Sequence, residues 1–96
     1  MTWVQFRSNL AGADDFRSLT QGTDADYWTG YIRGLRRCYN EERFGTAEEH
    51  ASWMATIERP DEVSRMRGTG YRAGLEGRTV QEALRDLVLL FKVANM

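Results

Sequence analysis

The chain writes one short element twice. Gly30-Tyr31-Ile32-Arg33-Gly34-Leu35 returns as Gly70-Tyr71-Arg72-Ala73-Gly74-Leu75, and each copy is followed by Thr-x-x-Glu, at Thr46 to Glu49 and at Thr79 to Glu82. Thr-x-x-Glu is the sequence of a capping box, in which a hydroxyl and a carboxylate satisfy free amides at the start of a helix. The repeated unit therefore reads as helix, loop, helix. In each copy the two glycines stand one turn apart on one face, and such a face lets backbones approach closer than bulky side chains permit. The spacing predicts that the two GYxxGL helices cross each other at Gly30, Gly34, Gly70 and Gly74.

Around that crossing the sequence predicts a compact, mainly α domain of two unequal helix-loop-helix units, residues 23–58 and 61–94, preceded by residues 1–22. The second connection is seven residues shorter than the first, counted from the repeated glycine to the capping threonine. Wound at 3.6 residues per turn, Tyr27, Trp28, Tyr31, Ile32, Leu35, Cys38 and Tyr39 share one side of the first helix, and Arg33, Arg36 and Arg37 gather opposite. Asn40 to Gly45 form the connection. Thr46 then opens a helix running to about Glu58, with Ala47, His50, Ala51, Met54 and Ile57 inward, and Pro60 ends it.

Asp61 opens the next helix, with Val63, Met66, Gly70, Tyr71, Gly74 and Leu75 on one side and an end near Gly77. Its glycines each cost about 1 kcal/mol relative to alanine inside a helix, so tertiary contact must hold it. The last helix carries Val80, Ala83, Leu84, Leu87, Val88, Leu90, Phe91 and Ala94 on one side. Leu89 and Val93 fall on the other, either as a contact for a partner or a second copy of the chain, or as scattered apolar groups in water. Residues 1–22 are less legible: Trp3 to Phe6 reads as a short strand or extended arm, and Ala13 to Leu19 as a short helix packed on the domain.

Few reactive constellations can be assembled from these residues. His50 is the sole histidine and Cys38 the sole cysteine, which excludes a two-histidine metal site, an intrachain disulfide and a thiolate cluster. A nucleophilic relay would have to join Cys38 or a serine to His50, yet Cys38 falls inside the aromatic face. Adjacent carboxylates (Asp14 with Asp15, Glu41 with Glu42, Glu48 with Glu49) diverge by about 100° on a helix and do not converge on one atom. Arg67-Gly68-Thr69-Gly70 lacks the preceding strand and the Lys-Ser/Thr of a phosphate loop. The expectation is a protein with no catalytic centre, metal or cofactor. A lone cysteine, a start without a signal-peptide pattern and an apolar run no longer than Leu87 to Phe91 predict a cytoplasmic protein outside the membrane.

The charge carried by the chain favours no partner in bulk, since 13 basic and 14 acidic residues leave a net charge of −1. Local clustering is more informative. All the basic residues except Lys92 are arginine, through a GC-rich genome or a need for planar, multidentate donors. Arg33, Arg36, Arg37 and Arg43 of the first unit, and Arg65, Arg67, Arg72 and Arg78 of the second, fall on faces turned from the core beside Tyr39 and Trp53. Guanidinium planes next to aromatic rings suit acidic protein surfaces and nucleic-acid backbones alike.

The string Tyr27-Trp28-x-Gly30-Tyr31-x-Arg33-Gly34-Leu35-Arg36-Arg37-x-Tyr39, then Phe44-Gly45-Thr46-x-x-Glu49-His50-x-x-Trp53 and Arg67-Gly68-x-Gly70-Tyr71-Arg72-x-Gly74-Leu75, resembles a pattern of small proteins carried by proteobacterial phages and mobile elements. Some small proteins of that setting are anti-defence factors, anti-CRISPR proteins among them. The resemblance spans residues 27 to 77 and brings no site residues with it. It implies that setting and a role in blocking a host complex; together with the missing catalytic apparatus and the many arginine and aromatic residues, it leads to the expectation of a non-enzymatic binder that occupies a surface of a host protein or nucleoprotein complex. On that reading Arg33, Arg36, Arg37 and Arg72 supply charged contacts, and Tyr39 and Trp53 aromatic ones. The alternative is a nucleic-acid-binding protein using the arginine face of the first helix.

Overall fold

A computed structural model describes residues 1–40 and 45–94, with side chains through residue 90. Five α-helices follow one another: α1 (Trp3–Leu19), α2 (Thr23–Asn40), α3 (Ala47–Ala55), α4 (Glu62–Leu75) and α5 (Val80–Ala94), with a 3-10 turn at Thr56–Glu58 after α3. The mainly α expectation holds. Arg43, Glu41, Glu42 and Phe44 lie outside the described residues, as do the side chains of Phe91 and Val93.

The N-terminus differs from its sequence reading. Trp3 to Phe6 is neither strand nor arm; it is the first turn of α1, which continues unbroken through Leu19. Thr2 begins it with a complete capping box: the Gln5 amide donates to Thr2 Oγ1 at 3.1 Å and the Thr2 amide to Gln5 Oε1 at 2.9 Å. Phe6, Asn9 and Ala13 form its buried stripe. That stripe hides in the sequence because a polar residue stands in its middle. Asn9 is there to accept the Val80 amide at 2.9 Å, satisfying a donor in the first turn of α5 from another helix.

The glycine crossing forms where the repeat places it. A methyl built on Gly30 would fall inside the carbonyl oxygen of Arg67, and one on Gly34 inside that of Tyr71. Reciprocally, methyls on Gly70 and Gly74 would strike the carbonyls of Tyr27 and Tyr31. Each contact in one direction has its partner 40 residues away in the other, so α2 and α4 are related by an approximate two-fold. Contacts advance in step along both chains, so the helices run side by side in the same sense. At this separation the glycine Cα–H groups point at the opposing carbonyls, a weak attraction that recurs at close helix pairs. Gly68 has a different task, for the Thr56–Ile57 turn lies against it. Gly77, with φ +75°, closes α4 as the residue before Arg78, whose amide reaches back to the Ala73 carbonyl at 3.1 Å.

The aromatic face of α2 makes the centre of the core. Tyr27, Trp28, Tyr31 and Leu35 are fully buried, joined by Phe6, Ala13, Ile32, Ala73, Val80, Ala83 and Leu87. Trp28 stacks on Phe16 and meets Tyr27 and Tyr31 edge-on. Tyr27 donates to the Ala83 carbonyl at 2.9 Å and Tyr31 to that of Arg78 at 2.6 Å, so the phenols of the first unit tie down the second unit's last helix. Burial is the main reason that both phenols ionise far above their ordinary range, with Asp86 adding to the effect at Tyr27 and Glu82 at Tyr31.

Two helices are less buried than their patterns suggest. In α3 no residue is fully buried; Ala47 and Ala51 face solvent, and His50, Met54 and, in the 3-10 turn that follows, Ile57 are half-buried. Among the described side chains of α5, Val80, Ala83 and Leu87 are buried, and Val88, Leu89 and Leu90 are substantially exposed. Val88 and Leu90 thus join Leu89 at the surface rather than the expected inner face. Val63, expected inward on α4, is also exposed.

Candidate functional site

The arginines of α2 divide between two sides of the helix. Arg33 and Arg37 turn towards α3. Arg33 pairs with Glu49 and its guanidinium lies 5.8 Å from the Trp53 ring, while Arg37 donates to the Thr46 carbonyl at 3.4 Å. Trp53 stacks on Tyr71 of α4 at 5.3 Å, and the Tyr71 hydroxyl is 2.7 Å from His50 Nδ1. These side chains enclose a recess no larger than a water molecule. The cluster has no room for a substrate. Its contacts join α3, which has no fully buried residue, to α2 and α4.

The second unit thereby repays the first: Tyr31 bonds to the start of α5, and Tyr71 bonds to α3. The repeats differ in the fate of the capping glutamate. Glu82 completes its box, with the Thr79 amide donating to Oε1 at 3.1 Å, which holds its carboxyl below the usual carboxylate range. In the first unit Thr46 Oγ1 accepts the Glu49 amide, but the Glu49 carboxylate is turned to Arg33. Tyr71 is 2% exposed, and burial raises the pKa of its phenol against the opposing pull of Arg37 and Arg33.

Replacing Tyr71 by phenylalanine is expected to cost about 1 kcal/mol for the lost bond, and His50→Ala about 1 to 3 kcal/mol because a buried hydroxyl is left without its partner. The double variant should cost less than the sum, since one bond is removed twice. Urea midpoints of the three variants check this, and full additivity would show that the two groups do not interact.

Arg36 points to the opposite side of α2. It lines an open groove against α1 with Arg7, Leu10, Ala11, Asp14, Arg17 and Ile32, a cleft of about 540 Å³. Among the described residues its guanidinium has no ion pair. Arg17 bonds to Asp14 at 2.6 Å on its own helix, and Arg7 lies 5.6 Å from the Trp3 ring. Arg7 lies in the half of α1 that reads as strand or arm, and Arg17 in the Ala13 to Leu19 stretch that the sequence does predict as a helix. The Thr2-x-x-Gln5 box, of the same form as the two boxes that were read, was the signal that would have found them.

The remaining candidates lie elsewhere. Tyr39 stacks on Phe6 at 4.4 Å and touches Trp3, within the seam of α1 and α2. Arg72 pairs with Glu76 on the outer face of α4, at 3.2 Å. Arg78, counted with the outward arginines, is clamped by Asp86 through two 3.0 Å bonds and reaches Glu82 at 3.2 Å. Cys38 opens on a recess with Met1, Gln5, Asn9 and Gly77, apart from that of His50, so the structure does not assemble a relay from the two. Among the described residues no three of His, Cys, Asp and Glu converge as a metal site. None of the helices described is long and apolar enough to cross a membrane.

Comparison with protein-family models, with curated proteins and with solved structures gives no match.

Proposed function

We propose that this protein is a non-enzymatic binding module that occupies a surface of a larger host nucleoprotein complex, in the manner of an anti-CRISPR or other anti-defence protein. The observation that carries the reading is the side of α2 facing α1: Arg36 stands exposed over an open groove that also carries Arg7 and Arg17. Below it α2 lies against α4 with backbone close to backbone, so Arg36 projects from a closely packed helix pair. A rigid platform loses little conformational freedom on binding, and arginine is favoured at the centres of protein interfaces. Exposed Val88, Leu89 and Leu90 offer an apolar contact on the same molecule. The host and defence setting comes from the resemblance of residues 27–77.

Affinity capture from host extract at low salt tests this. The module should retain a defined complex, and R36E should release it with the fold intact by circular dichroism. Retention of nothing, or equal retention by R36E, would count against the reading. Direct nucleic-acid binding is the second reading, favoured by the same three arginines. It predicts a log-log salt slope for oligonucleotide affinity that falls by about one for each arginine removed.

A further inference from the structure

We infer that the groove between α1 and α2 takes an acidic segment of a partner protein, one in which carboxylates flank an aliphatic or aromatic side chain. The inference rests on the protein-binding reading above and specifies the chemistry of the partner.

Three features of the groove select this occupant. Buried Ile32 of α2 and half-buried Leu10 of α1 give it an aliphatic floor, and exposed Arg7, Ala11, Arg17 and Arg36 line the rest with Asp14. An apolar floor between guanidinium groups matches a peptide that places one apolar side chain between carboxylates, because planar guanidinium and carboxylate groups pair through two parallel bonds. At about 540 Å³ the cleft is of the size that takes a few side chains.

The charge within the groove points the same way. Asp14 lies among the arginines and is already bonded to Arg17. A carboxylate in the groove opposes a continuous run of phosphates, whereas a peptide with spaced acidic groups can meet Arg7 and Arg36 and leave the Asp14–Arg17 pair in place. Among the described residues no aromatic ring is part of the cleft lining, so the lining itself offers bases no stacking platform. The apolar surface also continues past the groove. Val4, 75% exposed, stands one turn before Arg7 on the side of α1 that carries Ala11, and Trp3 lies beside the Arg7 guanidinium.

The test is a random peptide display library panned on the full chain and counter-selected on an R7E/R17E/R36E variant shown to be folded. Selected peptides should share Asp or Glu on both sides of Leu, Ile or Phe. A synthetic peptide of the consensus should shift the methyl resonances of Leu10 and Ile32, bind at least about tenfold more weakly to R36E, and weaken as salt screens the pairs. A neutral or basic consensus, no consensus at all, or shifts confined to other surfaces would overturn the inference. So would a thymidine oligonucleotide that binds the same methyls more tightly than the peptide, which would give the groove to nucleic acid. Should the triple variant still retain the host complex as the parent chain does, the groove is the wrong surface although the protein remains a binder. Capture of no complex by either form removes the protein-binding reading itself.

Discussion

Replacing Gly70 by alanine is expected to destabilise the domain by about 3 kcal/mol or more, at the upper end of what overpacking costs. The added methyl would meet the Tyr27 carbonyl and the Tyr31 amide, both of them helical backbone. A side chain in the way could change rotamer, but a helix backbone cannot move without its whole turn. The axes of α2 and α4 would have to separate, loosening the packing of Tyr27, Tyr31 and Leu35. The better helix propensity of alanine, about 1 kcal/mol, offsets only part of this. For a chain of this length such a loss corresponds to a fall in Tm of roughly 12 to 24 °C. Because the contacts are reciprocal, Gly30→Ala should cost nearly the same, and the pair together should exceed the marginal stability of a small domain.

Gly12 is the internal control. A methyl there would meet only the Val80 side chain, at 3.1 to 3.6 Å, so Gly12→Ala should change Tm by no more than about 4 °C as propensity gain and contact offset each other. Thermal denaturation followed by circular dichroism gives both values. Equal Tm values for Gly12→Ala and Gly70→Ala would mean that the helices stand further apart than described.

The second large effect is alkaline. Tyr27 and Tyr31 are fully buried with their hydroxyls bonded to carbonyls, and burial raises both phenols well above the ordinary value of 10. Above about pH 10 the unfolded chain loses these protons while the folded chain keeps them, so the folded state binds more protons and stability falls as pH rises. Their stabilising contribution is complete below pH 10 and drains away above it. By pH 11 each phenol should remove about 1.4 kcal/mol, and Tyr71, shifted in the same direction, adds to the loss. Urea midpoints between pH 8 and pH 11 should drop steeply, with the phenolate absorbance that Tyr27 and Tyr31 contribute rising only as the chain unfolds. Y27F/Y31F should flatten that limb. Ionisation of both phenols near pH 10 in a chain that stays folded would contradict the account.

Much of this architecture was legible because glycine spacing and capping boxes are local signals with direct geometric meaning. The GYxxGL repeat places the crossing, and Asp61 caps α4 through the Ser64 amide at 2.9 Å as its position suggests. What stayed illegible depends on partners distant in sequence. Asn9 interrupts the apolar stripe of α1 because it serves the first turn of α5, and the wheel of α2 groups Arg33, Arg36 and Arg37 although α1 and α3 approach from different sides. Wheel position tells which residues leave the core but not which neighbour they meet. The same limit applies to Val88 and Leu90, whose pattern is apolar although both side chains are exposed.

The claim that most needs testing is that this module binds protein through the arginines of the groove between α1 and α2. Native mass measurement of material captured from host extract, before and after nuclease digestion, addresses it directly. A protein-binding module remains in an assembly heavier than its own 11.1 kDa after the nucleic acid is removed. Collapse to the free chain on digestion, or a free chain from the start, would contradict it.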